Sequence, residues 1–419
     1  MTAHHRATTS AVQALYPFMA GPGLGAEATY IGQDVYGGAF CHDPWSLYEQ
    51  KTLTNPNILI AGELGTGKSS LVKTMLWRGS VFGRRAAVLD PKGEYGALCD
   101  AYGIEPIRLR PGGSVRLNPL DAGPGAADVG PEETARRQLT LLQSIASAAL
   151  RRDLTPIERT ACRIALARTS SGEAVPTLPL VAEALLVPTD EDASEIRTSA
   201  ADLARASHDV ALELRRLCDG DLRGMFDGRS TVEVDWDGPL VVIDLSEFAD
   251  DEGIPILMAC ATAWLNAAVV RPGAGRRFIV LDEAWRLLSH LGTARWLRAS
   301  LKLARQYGVA NVLVMHRLTD LLAAGDADSE QVALARGLLS DTQTRVIYGQ
   351  PRDAIEATAD LLGLSRHEAG EIANLGRGIG LWKVGKTSHL VVHHIGEREW
   401  PLVDTDGRMH GVEPATLET

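Results

Sequence analysis

Residues Asn57 to Gly79, NILIAGELGTGKSSLVKTMLWRG, constrain this chain more than any other stretch. The apolar run Ile58–Ala61 is short enough for a buried strand. A glycine-rich loop follows, then a helical pattern with Leu71, Met75 and Leu76 facing inward and Gly79 closing it. The loop Gly62–Ser69 fits G-x-x-x-x-G-K-[ST] and has the strand before it and the helix after it that this motif demands. Glycine backbone lets successive N–H groups converge on phosphates at the positive end of the following helix. The expected cradle runs through Gly62, Glu63, Leu64, Gly65, Thr66, Gly67, Lys68, Ser69 and Ser70. Lys68 would reach the β/γ-phosphates and the Ser69 hydroxyl would coordinate Mg2+. The competing reading is a strand–turn–helix that carries glycine and lysine without a ligand; the flanking pattern favours a nucleotide.

At 419 residues the chain can hold a large α/β domain with an insertion, or two domains. A net charge of −11 and a pI near 5.5 exclude a surface that is basic throughout, but leave room for a local basic lining such as a ring pore. Cys41, Cys99, Cys162, Cys218 and Cys260 lack metal-site or C-x-x-C spacing and read as reduced core residues. No apolar run approaches a membrane span, and MTAHHRATTS lacks a signal-peptide core. The expected location is therefore cytoplasmic, with any membrane association made through partners. Only seven of the 42 basic residues are lysines, so a lysine kept inside a motif, such as Lys68 or Lys92, carries extra weight.

The expected fold is α/β with a mainly parallel sheet and an all-α insertion. A tail or linker covers residues 1–30, the first part of the core 31–128, the insertion 129–224, and the second part of the core 225–419. Short β-like pieces and a turn at His42-Asp43-Pro44 lead towards the nucleotide strand. Further strands are expected at Arg85–Asp90, Glu105–Arg110, Val115–Leu120, Leu240–Asp244, Phe278–Asp282, Asn311–Met315 and Thr344–Tyr348. A closing hairpin follows at Gly380–Val384 and His389–Ile395. Between Pro131 and about Gly220 only helices are expected. One starts at the capping box Thr155-Pro156-Ile157-Glu158, and another spans Ala193–Cys218. The insertion is either a separate lobe on one sheet face or a set of crossover helices. Its length favours the lobe, because a crossover needs only a dozen or so residues.

Hydrolysis needs a carboxylate-bearing strand beside the phosphate loop. Three strands end in Asp, at Asp90, Asp244 and Asp282, and only the last is followed by a second acid, Glu283. Asp282 suits the metal's coordination shell and Glu283 the attacking water. Alternatively, Asp282 only caps the next helix.

With GELGTGKS, DPKGEY (Asp90–Tyr95) and FIVLDEAWRLL separated by a helical stretch, the chain resembles the HerA–FtsK group of P-loop motors. Within that group it is most similar to the ATPases of conjugative type IV secretion, the TraC class. The lead-in LTNPNILIAGELGTGKSSLVKT and the segment KLARQYG add to the likeness, which spans roughly residues 50–395. The resemblance implies a RecA-like core, ATP and Mg2+ as cofactors, and a ring of six subunits with shared sites. It also implies membrane-embedded secretion proteins as partners and DNA or protein as cargo. Arg305 matches the basic position of a finger reaching the neighbour's γ-phosphate, with Arg345 and Arg377 as competitors, and Arg377 lies in a glycine-flanked basic turn that would touch nucleotide. Lys92 and Glu94 either couple nucleotide state to the pore or neighbour, or only cap a helix.

The chain departs from the group's pattern in two places. Met315-His316-Arg317 stands where members often carry Thr-Gln, so His316 either senses the γ-phosphate in place of Gln or is a strand-end histidine. Only some fifty residues precede the motor, where the TraC class has a large docking domain. The expected activity is Mg2+-dependent ATP hydrolysis that powers secretion or conjugation. The alternatives are a DNA pump of the HerA or FtsK kind and an ATP-switched scaffold with little turnover.

Overall fold

The computed structural model of the chain describes residues 24–25, 28–172, 174–248, 253–269, 273, 275–304, 307–316 and 330–404. Its strands are β1 (Thr29–Asp34), β2 (Ala39–His42), β3 (Ile58–Ala61), β4 (Arg85–Asp90), β5 (Ile107–Arg108), β6 (Leu240–Asp244), β7 (Arg277–Leu281), β8 (Val309–Met315), β9 (Thr344–Ile347), β10 (Ile379–Val384) and β11 (Thr387–His393). They form one sheet in the order β2-β1-β11-β10-β9-β3-β8-β7-β4-β6-β5. From β9 to β5 every neighbour is parallel; the β10–β11 and β1–β2 hairpins extend the sheet antiparallel. This is the mainly parallel α/β core expected from the sequence.

The central strands are apolar on both faces because both faces are covered. Side chains alternate, so Ile58 and Ile60 enter one core while Leu59 and Ala61 enter the other. The first core lies under the helix Lys68–Ser80, through Leu71, Val72, Met75 and Leu76. The second lies under the helices Ile254–Val269 and Leu291–Ala304. Helices Pro131–Leu150, Pro156–Thr169, Leu178–Leu186, Asp190–Ser194 and Ala200–Asp219 pack onto this second core. Gly292 makes the junction close: a Cβ there would stand 2.7 Å from the Ser144 carbonyl oxygen. Among the described residues no helix is long and apolar enough to cross a membrane.

Several expectations need correction. Val115–Leu120 is not a strand but a buried loop. Pro119 offers no N–H, and the loop is held by the segment 225–231 and by side chains instead of a sheet ladder: Leu117 N–H donates to the Met225 carbonyl, and Asn118 Nδ2 to the Pro176 carbonyl. Of Glu105–Arg110 only Ile107–Arg108 pairs with the sheet. The helix expected over Ala193–Cys218 is broken, because Thr189 and Ser199 each cap a separate helix. The turn at His42-Asp43-Pro44 is the start of the helix Pro44–Glu49, with Asp43 accepting the N–H groups of Trp45 and Ser46. Gly79 does not end the phosphate-loop helix but is buried within it.

Candidate active site

Parallel register does most of the assembly. Ala61 pairs with Met315, Leu313 with Leu281, and Leu281 with Leu89. The carboxyl ends of β3, β8, β7 and β4 therefore finish side by side. Gly62, His316, Asp282 and Asp90 emerge along one edge, where ligands of open α/β sheets bind. Cross-bonds fix this edge. Gly62 N–H donates to the His316 carbonyl (3.2 Å), Ala284 N–H to the Val314 carbonyl (2.9 Å), and Asp282 N–H to the Leu89 carbonyl (3.3 Å).

The loop Gly62–Ser69 owes its glycines to two different constraints. A Cβ on Gly62 would meet Tyr348 Cβ at 2.5 Å, whereas Gly67 is the helix N-cap with φ +110°. Thr66 Oγ1 donates to the Glu63 carbonyl (2.7 Å), and Leu64 projects outward, 80 % exposed. Lys68 Nζ donates to the carbonyls of Gly62 and Glu63, each at 2.7 Å. Its pKa falls to about 8 because burial disfavours the charge and Lys92 repels it. Ser69 and Ser70 stand in the first turn of the helix, and Ser70 Oγ donates to the Val403 carbonyl (3.2 Å).

Asp282 and Glu283 are both buried. Asp282 Oδ1 accepts the Glu283 N–H (2.9 Å), while its Oδ2 has no hydrogen-bond partner. Burial lifts its pKa to about 7. Glu283 sits at φ +54°, an uncommon conformation for a residue with a side chain. Its Oε1 contacts both Lys92 Nζ and His316 Nε2, and its Oε2 accepts Trp285 Nε1–H at 2.5 Å. Burial alone would raise this carboxyl, but hydrogen bonds from His316 and Lys92 hold it near 2.

The DPKGEY segment is organised by its first residue. Asp90 is buried and accepts three backbone N–H groups: Lys92 (3.1 Å) and Gly93 (2.9 Å) on Oδ1, Tyr95 (3.0 Å) on Oδ2. The folded turn aims Lys92 at Glu283 and lets the Glu94 charge act on Lys68 and Lys73. The helix that follows, Gly96–Tyr102, has no side-chain cap at its start, so neither Lys92 nor Glu94 caps it; Asp90 instead holds the turn before it.

Of the arginines named from sequence, Arg377 stands on a turn against the phosphate loop, whose Gly378 N–H donates to the Thr66 carbonyl (3.0 Å). Arg345 instead points into the fold, spending three of its five N–H donors on the carbonyls of Thr342, Leu362 and Leu339 at 2.9–3.1 Å. Arg305 lies outside the described residues.

Three participants were not singled out from sequence. Lys73 is buried, 5.5 Å over the Tyr95 ring, and its pKa is lowered by burial against the pull of Glu94, Asp90 and Asp282. Its rarity as a lysine was the available signal. Trp285 and Tyr348 carried none: Trp285 bonds Glu283 two residues back, a contact the motif alone does not reveal, and Tyr348 meets the phosphate loop across the sheet.

No protein-family model matches the chain. A stretch of 111 residues is 31 % identical to the type IV secretion system protein CagE of Helicobacter pylori; it covers 26 % of this chain and 11 % of CagE, about a tenth of that relative. The structure is similar to VirB4 of Thermoanaerobacter pseudethanolicus, with a TM-score of 0.71 and 24 % identity over 90 % of this chain and 100 % of that one. It is also similar to the bacterial conjugative coupling protein TrwB, with a TM-score of 0.58 and 16 % identity over 92 % of each chain. TrwB is known in complex with ADP and Mg2+. The chain therefore has the RecA-like P-loop fold shared by these secretion and coupling proteins.

Proposed function

We infer that this chain is a Mg2+-dependent ATPase acting as a subunit of an oligomeric motor in type IV secretion or conjugation. One observation carries the reading: the phosphate loop, the Asp282-Glu283 pair and a ring of cations converge at one edge of a sheet shared with VirB4. Lys68 would leave the loop carbonyls for the β/γ-phosphates. The Ser69 hydroxyl and the unpartnered Asp282 Oδ2 fit a hard divalent cation, which when bound shields phosphate charge. Glu283 would orient the attacking water, with His316 beside it. Arg377 would contact nucleotide bound to its own subunit. Arg305 is proposed as the finger across the interface of a six-membered ring. The helical segment between 129 and 224 is proposed as an insertion on one face of the motor. Membrane-embedded secretion proteins are the proposed partners, holding the motor at the cytoplasmic side, with DNA or protein as cargo.

The test is turnover with and without single- and double-stranded DNA. Lys68→Ala should abolish hydrolysis, and Glu283→Gln should bind ATP but fail to hydrolyse it. Wild-type turnover by Glu283→Gln would show that another group orients the water.

A further inference from the structure

The contacts around Glu283 cannot all be satisfied together. Lys92 Nζ, His316 Nε2 and Glu283 Oε1 lie within hydrogen-bonding distance of one another, Lys92 to His316 at 2.8 Å. A single imidazole nitrogen either donates to the carboxylate or accepts from the ammonium; it cannot do both. When Nε2–H donates to Glu283, Lys92 and His316 meet donor to donor, and the buried His316 Nδ1 is left without a donor of its own. In that tautomer Lys92 is held by one ion pair and opposed by its other neighbour. Its side chain is 31 % exposed while that of Glu283 is 4 % exposed, so of the two it is Lys92 that has room to move.

With Nε2–H donating, both lone pairs of Glu283 Oε1 are taken up by this pair, and Oε2 already accepts from Trp285. A carboxylate so engaged has little capacity left for a water molecule. Lys92 also lies near enough to Lys68 to depress that group's affinity for protons, which places it on the phosphate side of the site. Its backbone is anchored by Asp90, so only the side chain needs to swing.

We propose that Lys92 is a γ-phosphate sensor that exchanges partners: it releases Glu283 Oε1 and pairs with the terminal phosphate of ATP, freeing the carboxylate for water only when a third phosphate is present. This rests on the nucleotide reading above and deepens it. ADP offers no terminal group at that position, so the Lys92–Glu283 pair persists with ADP bound. Binding of the third phosphate and release of the water-orienting carboxylate become one event.

The experiment compares affinities for ADP and for the non-hydrolysable analogue with an imido bridge between its β- and γ-phosphates. Both are titrated calorimetrically at fixed Mg2+ against the full chain. Lys92→Met should weaken the analogue about tenfold, the scale of one charge-assisted contact, and leave ADP within twofold. Lys92→Arg should keep most of the discrimination. Glu283→Gln removes the competitor and should tighten analogue binding several-fold; in the Lys92→Met background that gain should vanish. Equal weakening of both nucleotides by Lys92→Met, or a Glu283→Gln gain that survives it, would overturn the exchange while leaving the nucleotide site standing. Failure of the unaltered chain to bind either nucleotide would bring down the site reading itself, and the sensor with it.

Discussion

Replacing Gly62 by alanine tests the phosphate loop most directly, because crowding and backbone conformation predict different outcomes there. The added Cβ would stand 2.5 Å from Tyr348 Cβ, 3.3 Å from Tyr348 Cα and 3.0 Å from Thr66 Oγ1. Tyr348 cannot yield: it is 1 % exposed and its N–H donates to the Ala61 carbonyl at 2.8 Å. Relief must come from the loop, at the expense of the Gly62–His316 and Glu63–Gly349 backbone bonds, both 3.2 Å. Overpacking costs about 1–3 kcal/mol, and each weakened bond about 0.5–1.5 kcal/mol. The sum is about 4 kcal/mol, with the Lys68 carbonyl partners displaced as well. Gly65 is the control: its φ is +74°, but nothing lies within 4 Å of a Cβ there. Gly65→Ala should therefore show only the left-handed penalty of about 1–2 kcal/mol. Urea unfolding gives the two losses, and nucleotide titration shows whether the loop still closes on phosphate. The reasoning fails if Gly65→Ala is the more damaging change, or if Gly62→Ala unfolds and binds like the parent.

Two further predictions concern the frame around the site. Glu158 accepts both Arg152 Nη groups (2.7 and 2.8 Å) and the Thr155 N–H (2.7 Å); chiefly through Arg152 its carboxyl is held near 2. A folded pKa below the unfolded value stabilises above the unfolded value and is lost as pH falls towards 2. With Arg152 40 % exposed, the Glu158→Gln deficit should be about 1 kcal/mol at neutral pH and shrink below pH 4; a deficit independent of pH would refute this. Arg78 grips Glu399 through Nε (2.7 Å) and Nη2 (2.5 Å) and donates to the Tyr30 and His394 carbonyls, both 2.7 Å. Arg78→Ala should cost about 2–3 kcal/mol in thermal unfolding, since it strands a largely buried carboxylate. Lysine should restore only part of the loss, and full restoration would show that the guanidinium fork is not what holds these segments.

What the sequence made legible follows from how local each signal is. The Ile58–Ala61 run, the loop and its helix are contiguous, and each obeys a rule readable within a few residues. The Thr155–Glu158 capping box was legible for the same reason, and both of its reciprocal bonds are present. Val115–Leu120 misled because a short, largely apolar run shows that a segment is buried, not that a strand lies beside it. The meeting of Lys92 with His316 joins residues 224 apart in sequence and depends on β4, β7 and β8 lying in order, which no local pattern records. The glycines of the loop were read as a single device for curling the backbone; the structure divides them, with Gly62 needed for space and Gly67 for its φ.

Electrostatics explain why a neighbour is a reasonable place to look for the last catalytic charge. Around the edge of the sheet, the lysines Lys68, Lys73 and Lys92 face the carboxylates Asp90, Glu94, Asp282 and Glu283. The described residues thus leave this cluster slightly negative before any nucleotide arrives. A triphosphate brings more negative charge than one divalent cation removes, and more gathers on the γ-phosphate oxygens as the bond breaks. Lys73 is buried, with its Nζ over the Tyr95 ring, and does not face the phosphate site's surface. Arg345 is committed to three carbonyls. If Lys92 serves the terminal phosphate, its departure also strips Glu283 of one counter-ion. Among the described residues, Arg377 stands on the turn bonded to Thr66. It flanks the loop on the β9–β10 side, whereas Asp282 and Glu283 lie on the other side, beyond β8. Among the described residues, then, compensation on the Glu283 side comes from beyond this cluster, and the proposed finger Arg305 of a neighbouring subunit would supply it.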